Sequence, residues 1–481
     1  MDSSIVATAV IAIGKYFNDF VEIQWIVPAY LPTYLEMDLE PDDVIGRKWA
    51  TIAALAALLA FSLGAGHSQS LEQEVGGSGL YAMTFVTLPE ITPPEKFGMM
   101  SAGLGMAFAV SGVLGPTIGG IIMTHPTWRW VFYFNGPCCG FVIALILLSW
   151  PVTQSPERIK IEDLDLFGHS LFVTTCVLLV FAIQRAGAGT YTWGSATNVV
   201  CLAITLGFWI WYFSKPGRSI APLFQGRIIT HRITLANITL TDKNTNITTL
   251  FGYVFCTVLI ELPQRFQVVN GRSSQAAGID LLPLLGASPV GSGLGGFLSS
   301  KRNRSVYTLT AGSASMLLGA GLLYSVGLDQ TRPARLYGPE VPLGSGVGLL
   351  FSSVTVSVKL HASSEDAASA QGLLAHGRFL GGNVGLAIAT VIPNKYLISD
   401  LNKSLDVIET FASQEKQAVA RALEGAFVTQ IGVCAVLAAV CSVFYAFTFE
   451  RNPASFAGMA EKACARAEVQ GSDQAEDSES C

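Results

Sequence analysis

The amino-acid sequence predicts an all-α polytopic membrane protein, because the chain carries little charge, is rich in apolar residues and repeats apolar segments of helical length. Charged residues account for 13% of the 481 residues, about half of the quarter that is usual in a soluble domain. Hydrophobic residues account for 51%. A water-soluble chain of this length would need a more polar surface, so most of this surface is expected to face lipid.

Each apolar segment near the length of about twenty residues that a bilayer requires predicts one helix. Uninterrupted segments lie at about 49–66, 99–123, 129–150, 166–184, 197–214, 306–327, 372–393 and 425–448. Transmembrane helices also tolerate Gly, Pro or Thr when their neighbours satisfy the backbone. Segments of this second kind lie at about 76–90, 245–262, 277–298 and 341–358. The N-terminal segments 3–14 and 22–37 are apolar but short for a full crossing.

The fourteen segments fall into groups of six, two and six along the chain, which predicts an internal repeat. Two equal sets are typical of transporters that bind their substrate between two halves. We expect an N-terminal six-helix bundle, two linking helices, a C-terminal six-helix bundle and a disordered cytoplasmic tail at 1–150, 151–214, 215–450 and 451–481. Because the first two segments are short, a truncated first bundle is an alternative to a complete one.

The distribution of basic residues predicts that both chain ends are cytoplasmic. More Lys and Arg fall in the loops that this orientation places inside the cell, as the positive-inside rule requires. The loop predicted at 394–424 is then extracellular. It contains Asn402-Lys-Ser404, a candidate glycosylation site at Asn402.

The sequence carries no motif for a cofactor, a metal ion, nucleic acid or catalysis. The formal net charge is −6, and no basic cluster is interleaved with aromatic residues, so no nucleic-acid partner is expected. The nine Cys include no Cys-x-x-Cys pair, so neither a zinc site nor a disulfide framework is expected. The string Gly291-Ser-Gly-Leu-Gly-Gly296 lacks the strand context of a dinucleotide site and predicts a close-packed helix end. We do not expect an enzyme.

The sharpest local motif lies in the 99–123 segment. Gly112, Gly115 and Gly119 are spaced i, i+3 and i+7, so one helix face has no side chains and a partner backbone can approach closely. Pro116 removes a backbone donor and predicts a bend at this point. On spacing alone, an ordinary helix-packing interface is the favoured interpretation.

This string resembles the antiporter motif of major facilitator superfamily exporters, Gly-x-x-Gly-Pro-x-x-Gly-Gly. The fixed positions of that motif are all matched, by Gly112, Gly115, Pro116, Gly119 and Gly120. Trp128-Arg-Trp130 and Asn135-Gly-Pro137 follow at the spacing found in the fourteen-helix drug:proton antiporter branch, especially in fungal members. The resemblance implies the major facilitator fold, with two six-helix bundles and two extra central helices.

A second resemblance lies between the second and third segments, where Asp43, Gly46, Arg47 and Lys48 match the cytoplasmic loop signature of the superfamily. An acid beside two cations at the start of a helix can form a charge-assisted cluster that locks one conformation of the bundle and breaks in another. The plain alternative is a positive-inside anchor. The leading glycine of the signature would fall at Leu39 and is absent.

Asp2 and Arg378 are the candidate residues for proton or substrate coupling. Asp2-Ser-Ser-Ile-Val-Ala resembles the first-helix motif of the same branch, in which the acid lies within a full helix. Arg378 lies inside the 372–393 segment, where an unpaired charge is costly and marks a functional candidate. We expect Arg378 to pair with Glu365 or Asp366 or, as the favoured alternative, to snorkel to the inner surface.

Two further acids lie at the predicted outer ends of helices. Glu261 ends the 245–262 segment and Asp280 opens the 277–298 segment. We expect both at the outer interface, with Arg265 and Arg272 nearby.

The resemblance implies a monomeric transporter that exports a hydrophobic or amphipathic small molecule, such as a toxin, secondary metabolite or drug, in exchange for protons. Its partners are then the small molecule, protons and the lipid bilayer, and its location is the plasma membrane or, alternatively, the vacuolar membrane. One alternative is a nutrient or siderophore transporter of the same superfamily, against which the antiporter motif argues. Another is a non-transporting, truncated or sensor-like membrane protein, because Ser70 stands where the family has a coupling arginine.

Overall fold

The structure is a computed structural model of the chain, and it describes residues 47–66, single positions within 100–122, 129–149, 166–187, 192–214, 245–302, 305–326, 334–361, 371, 374–375, 377–389, 391–392 and 411–446. Among these residues the secondary structure is helical, with short turns and no strand. The prediction of an all-α protein is confirmed for this part of the chain.

Eleven helices of the described part have defined bounds. They are α1 (Arg47–Gly66), α2 (Trp130–Tyr133), α3 (Asn135–Ser149), α4 (Leu166–Gly187), α5 (Ala196–Ser214), α6 (Thr245–Val268), α7 (Ser274–Asp280), α8 (Leu282–Arg302), α9 (Ser305–Val326), α10 (Ala334–His361) and α11 (Phe411–Ala446). Residues 377–389 are also helical and form the 377–389 helix.

The largest differences from the predicted segments are the starts of two helices. α10 begins at Ala334 instead of at 341, and α11 begins at Phe411 instead of at 425. The loop predicted at 394–424 is therefore wrong from Phe411 onward. The first turns of α11 consist largely of Ala, Gln, Glu, Lys and Arg, which favour helix without being apolar.

The segment predicted at 277–298 is divided into α7 and α8. Gly271 precedes α7 with φ of 62°, in the left-handed region that glycine occupies without strain. Ser273 caps α7, because its hydroxyl accepts a hydrogen bond of 3.2 Å from the Ala276 amide. This tight connection returns the chain from the end of α6 to the start of α8.

The C-terminal set of helices surrounds one apolar core. α10 packs against α8 and α9, and α11 packs against α9 and α6. Val254, Met316, Leu350 and Ile431 are fully buried members of this core, and each comes from a different helix. Met100, from the 99–123 segment, packs against the same core.

Several helices have the length and composition of membrane spans. In the described part of the chain, four candidates have both the length and the hydropathy for a crossing, at Gln275–Ser299, Ser305–Val326, Arg335–Val358 and Glu424–Tyr445. Shorter apolar helices lie at Asn135–Ser149, Thr174–Ala186 and Ala196–Phe208. Large apolar side chains such as Phe141 and Leu148 are exposed, Leu148 to 87%, as expected for helix faces that contact lipid.

Glycines allow α8 and α10 to approach at backbone distance. A Cβ atom on Gly291 would overlap the Ser345 carbonyl, and one on Gly348 would overlap the Ser288 carbonyl. The close packing predicted for the 291–296 string is confirmed at Gly291, although it lies in the middle of α8 instead of at its end. Close packing through small residues is a usual way for helices to associate in lipid.

Candidate functional site

Of the antiporter motif, the structure describes Gly115, which is helical and buried. Met100, four turns earlier in the same segment, contacts the C-terminal core. The start of this segment therefore contacts the C-terminal core at Met100. The remaining motif positions and several other predicted site residues lie outside the described residues: Gly112, Pro116, Gly119, Gly120, Asp2, Asp43, Gly46 and Asn402.

The cytoplasmic loop signature leads into α1, which begins at Arg47. Lys48 Nζ donates a hydrogen bond of 3.4 Å to the carbonyl of Leu147 in the last turn of α3, where a cation also complements the helix dipole. At the other end of this helix pair, Asn135 Nδ2 donates to Ser62 Oγ at 3.0 Å. The two contacts show that α1 and α3 pack antiparallel and are tied at both ends.

Arg378 is buried in the C-terminal bundle, with a relative exposure of 3%. Its guanidinium carbon lies 4.2 Å from the ring centroid of Phe351 on α10 and 5.8 Å from that of Phe251 on α6. The favoured expectation that Arg378 snorkels to the inner surface is therefore wrong. Aromatic faces attract a cation and hold it inside the bundle instead. The other expected partners, Glu365 and Asp366, lie outside the described residues.

Arg265 was expected near Glu261 but lies close to an acid from a different helix. Arg265 Nη2 is 3.6 Å from Glu424 Oε1 on α11, and both side chains are almost fully buried. The guanidinium carbon of Arg265 also lies 4.9 Å from the ring centroid of Phe427. A buried pair thus joins the last turn of α6 to the middle part of α11.

Asp280 lies beside Arg272, as the sequence predicts. Arg272 Nε donates to Asp280 Oδ2 at 2.7 Å and Arg272 Nη2 donates to Asp280 Oδ1 at 3.0 Å, a bidentate arrangement. The Tyr337 hydroxyl on α10 donates to the same carboxylate at 2.6 Å. Hydrogen bonding to Asp280 and Tyr337 raises the pKa of the Arg272 guanidinium above its usual value, so Arg272 keeps its positive charge at every physiological pH.

Sequence reasoning missed Glu340 and Glu424. The predicted segments begin at 341 and 425, one residue after each of these acids, because a charged residue was taken to end the apolar run. In the structure both lie inside long helices, α10 and α11, and both are buried. For Glu424 the helix-forming residues before it are a signal that could have placed it inside a helix. For Glu340 the sequence gives no such signal, because Gly338 and Pro339 precede it directly.

A small cavity of about 30 Å³ lies between α6, α8 and α10. Its walls include Phe255, Val258, Leu284, Ser288, Leu343 and Val347. The lining is almost entirely apolar, and a space of this size has room for about two water molecules.

The chain matches the Major Facilitator Superfamily over residues 1–386. It belongs to this family and is a multi-pass integral membrane transporter whose substrates are small molecules.

Curated relatives from fungi are similar over most of the chain. The MFS-type transporter FPY5 of Fusarium mangiferae is 33% identical over 426 residues, which cover 82% of this chain and 69% of that protein. The dehydrocurvularin exporter of Alternaria cinerariae is 27% identical over 436 residues, covering 85% and 72%. The rubrofusarin-specific efflux pump aurT of Gibberella zeae is 27% identical over 433 residues, covering 85% and 76%.

Solved structures of transporters share the fold. The proton:xylose symporter XylE bound to 6-bromo-6-deoxy-D-glucose aligns with a TM-score of 0.59 and 12% identity, over 95% of this chain and 94% of that chain. A bacterial homologue of the human lysosomal transporter Spinster, inward-facing and unoccupied, aligns with a TM-score of 0.58 and 15% identity, over 92% and 93%. The predicted major facilitator fold is confirmed.

Proposed function

We propose that this protein exports a hydrophobic or amphipathic small molecule, such as a toxin, a secondary metabolite or a drug, in exchange for protons. The observation that carries the proposal is the similarity to relatives whose names state export, over 85% of this chain in two cases. The antiporter string around Gly115 supports export over import. The alternatives are a nutrient or siderophore transporter and a non-transporting membrane protein.

In the proposed mechanism the two bundles, 1–150 and 215–450, rock about a site between them and expose it alternately to each side of the membrane. In this proposal residues 151–214 form two helices that link the bundles, and residues 451–481 form a cytoplasmic tail. Gly115 is buried, and Met100 at the start of the same segment contacts the C-terminal core; a close-packed glycine face in this segment is proposed to seal one side. The proton gradient supplies the work of export.

The cytoplasmic gating loop of Asp43, Gly46, Arg47 and Lys48 is proposed to stabilise one of the two conformations. In support, Lys48 already holds the inner ends of α1 and α3 together. Breaking such a contact during rocking costs little, because it is exposed to water. The loop can therefore act as a reversible latch.

Arg378 is proposed to take part in substrate coupling and Asp2 in proton coupling. The guanidinium of Arg378 is flanked by Phe351 and Phe251, and a guanidinium between aromatic rings combines the charged and apolar groups that an amphipathic substrate requires. We place the protein in the plasma membrane as a monomer, with glycosylation at Asn402 on the outer side; the vacuolar membrane is the alternative location.

The deciding experiment uses the purified full chain in proteoliposomes with an imposed pH gradient. Transport of a panel of dyes and fungal toxins that follows the gradient supports proton exchange, and flux that ignores the gradient refutes it. In cells that express the chain at the surface, a complete absence of export for every compound would favour the non-transporting alternative.

A further inference from the structure

Glu340 differs from the other acids in the described part of the C-terminal bundle. The structure describes the surroundings of four acidic side chains there. Asp280 lies beside Arg272, and Glu424 lies beside Arg265. Glu261 is half-buried, and one of its two carboxylate oxygens, Oε2, is buried without a hydrogen bond. Glu340 has a relative exposure of 0%, and neither of its carboxylate oxygens makes a hydrogen bond.

The charged surroundings of Glu340 do not offset a negative charge. Its electrostatic neighbours are the Leu284 amide on α8 and the Asp280 carboxylate on α7, which has the same sign. Tyr337, one turn earlier on α10, directs its hydroxyl to Asp280. Arg272 is likewise bound to Asp280, and Arg335, a second cation at the start of α10, is exposed.

Glu340 lies near the small cavity between α6, α8 and α10. Leu343, Gly344 and Val347 follow it at i+3, i+4 and i+7, so they share its face of α10, and all three line the cavity. Leu284, whose amide is the polar neighbour of Glu340, lines the cavity as well. The cavity therefore starts within one turn of the carboxyl group.

A buried carboxylate whose polar neighbours are one backbone amide and a second carboxylate is costly to keep charged, whereas the neutral acid is much less so. The enclosed arrangement of α8 and α10 therefore fits a proton on Glu340. Release of that proton requires a rearrangement that brings water or a cation to the carboxylate. A proton exchanger must bind a proton in one conformation and release it in the other. A carboxyl group whose proton occupancy changes with the conformation of the bundle meets this requirement.

We propose that Glu340 is the proton-binding site of the C-terminal bundle. This inference rests on the proposed proton exchange. A proton from the outer water binds one carboxylate oxygen of Glu340 while the outer side is open. The same proton leaves to the cytoplasmic water after the bundles have rocked, and the substrate moves in the opposite direction. No covalent bond other than the O–H bond forms or breaks.

The first test measures proton binding without a substrate. Infrared difference spectra of the purified full-length protein are recorded across a pH titration, for wild type, Glu340→Gln and Glu261→Gln. We expect a carboxylic-acid C=O band that titrates in wild type and in Glu261→Gln, and that is absent in Glu340→Gln. Identical spectra in wild type and Glu340→Gln would overturn the assignment.

The second test measures coupling in proteoliposomes with rhodamine 6G as the transported probe. For Glu340→Gln we expect stimulation by a pH gradient to be lost, while exchange of internal for external probe at equal pH continues. Wild-type transport that ignores the pH gradient contradicts the proposed function itself. If wild type and Glu340→Gln both respond to the gradient, the role of Glu340 is contradicted, while the proposed function is not.

Two further outcomes would also overturn the role of Glu340. Loss of probe exchange at equal pH in Glu340→Gln would indicate a structural residue. Stimulation of wild type by a Na⁺ gradient that Glu340→Gln abolishes would assign the site to a metal cation instead of a proton.

Discussion

Arg265 on α6 and Glu424 on α11 form a buried ion pair with 3.6 Å between Nη2 and Oε1. Arg265 follows the apolar stretch of α6, and Glu424 precedes the apolar stretch of α11. The pair joins these two ends on the predicted outer side of the C-terminal bundle. The ring of Phe427 lies 4.9 Å from the guanidinium and shields the pair from solvent.

Truncation of one partner of this pair should destabilise the protein strongly. Glu424→Ala leaves the charge of Arg265 buried without its counter-ion, which costs about 3–5 kcal/mol in comparable buried pairs. We expect a clearly lower unfolding temperature in detergent for Glu424→Ala. The double variant Arg265→Met/Glu424→Leu, which removes both charges, should recover most of the loss. A double variant as unstable as Glu424→Ala would show that the pair is not the cause.

The close contact of α8 and α10 predicts opposite effects of alanine at two nearby glycines. At Gly291 an added methyl group would overlap the Ser345 carbonyl, whereas at Gly293 it would meet nothing within 4 Å. Gly293→Ala should therefore be neutral or stabilising by about 0.5–1 kcal/mol through helix propensity. Gly291→Ala should be destabilising by about 1–3 kcal/mol, as overpacking usually is. Thermal unfolding of the two variants, followed side by side, gives the comparison.

The antiporter motif predicts that Gly115→Leu abolishes export while membrane insertion remains intact. Gly115 is buried, so a leucine side chain fills a closely packed face. Gly103→Leu is the matched control, because Gly103 is exposed in the same segment and has no atom within 4 Å of an added Cβ. Export is measured relative to the amount of protein at the cell surface. Undiminished export by Gly115→Leu would refute the role of the motif.

The aromatic surroundings of Arg378 predict that its charge is needed for export and that the neighbouring ring of Phe351 contributes to stability. A desolvated cation–π contact contributes up to about 2 kcal/mol, so Phe351→Leu, which keeps the bulk but removes the ring, should lower the unfolding temperature moderately. Arg378→Gln should abolish export, and Arg378→Lys should retain part of it because the charge remains. Surface-normalised export and thermal unfolding separate the two effects. Equal export by Arg378→Gln and wild type would exclude a coupling role.

The positions of the membrane helices could be predicted from local sequence. The segments expected at 49–66, 197–214 and 306–327 correspond closely to α1 (Arg47–Gly66), α5 (Ala196–Ser214) and α9 (Ser305–Val326). This agreement has a physical reason. Whether a segment of about twenty residues is stable as a helix in lipid depends on its own hydropathy and backbone hydrogen bonds, so a local pattern suffices.

The partners of the polar side chains were decided by the tertiary structure. Arg265 lies beside Glu424 of α11, Asp280 accepts a hydrogen bond from Tyr337 as well as from Arg272, and Arg378 lies against aromatic rings. Inside a membrane a polar group must find its partner within the protein. Which partner is within reach depends on the order and rotation of helices that are distant in sequence, and hydropathy carries no record of that arrangement. Glu340, enclosed between α8 and α10, is apparent as a candidate site only after those helices are placed.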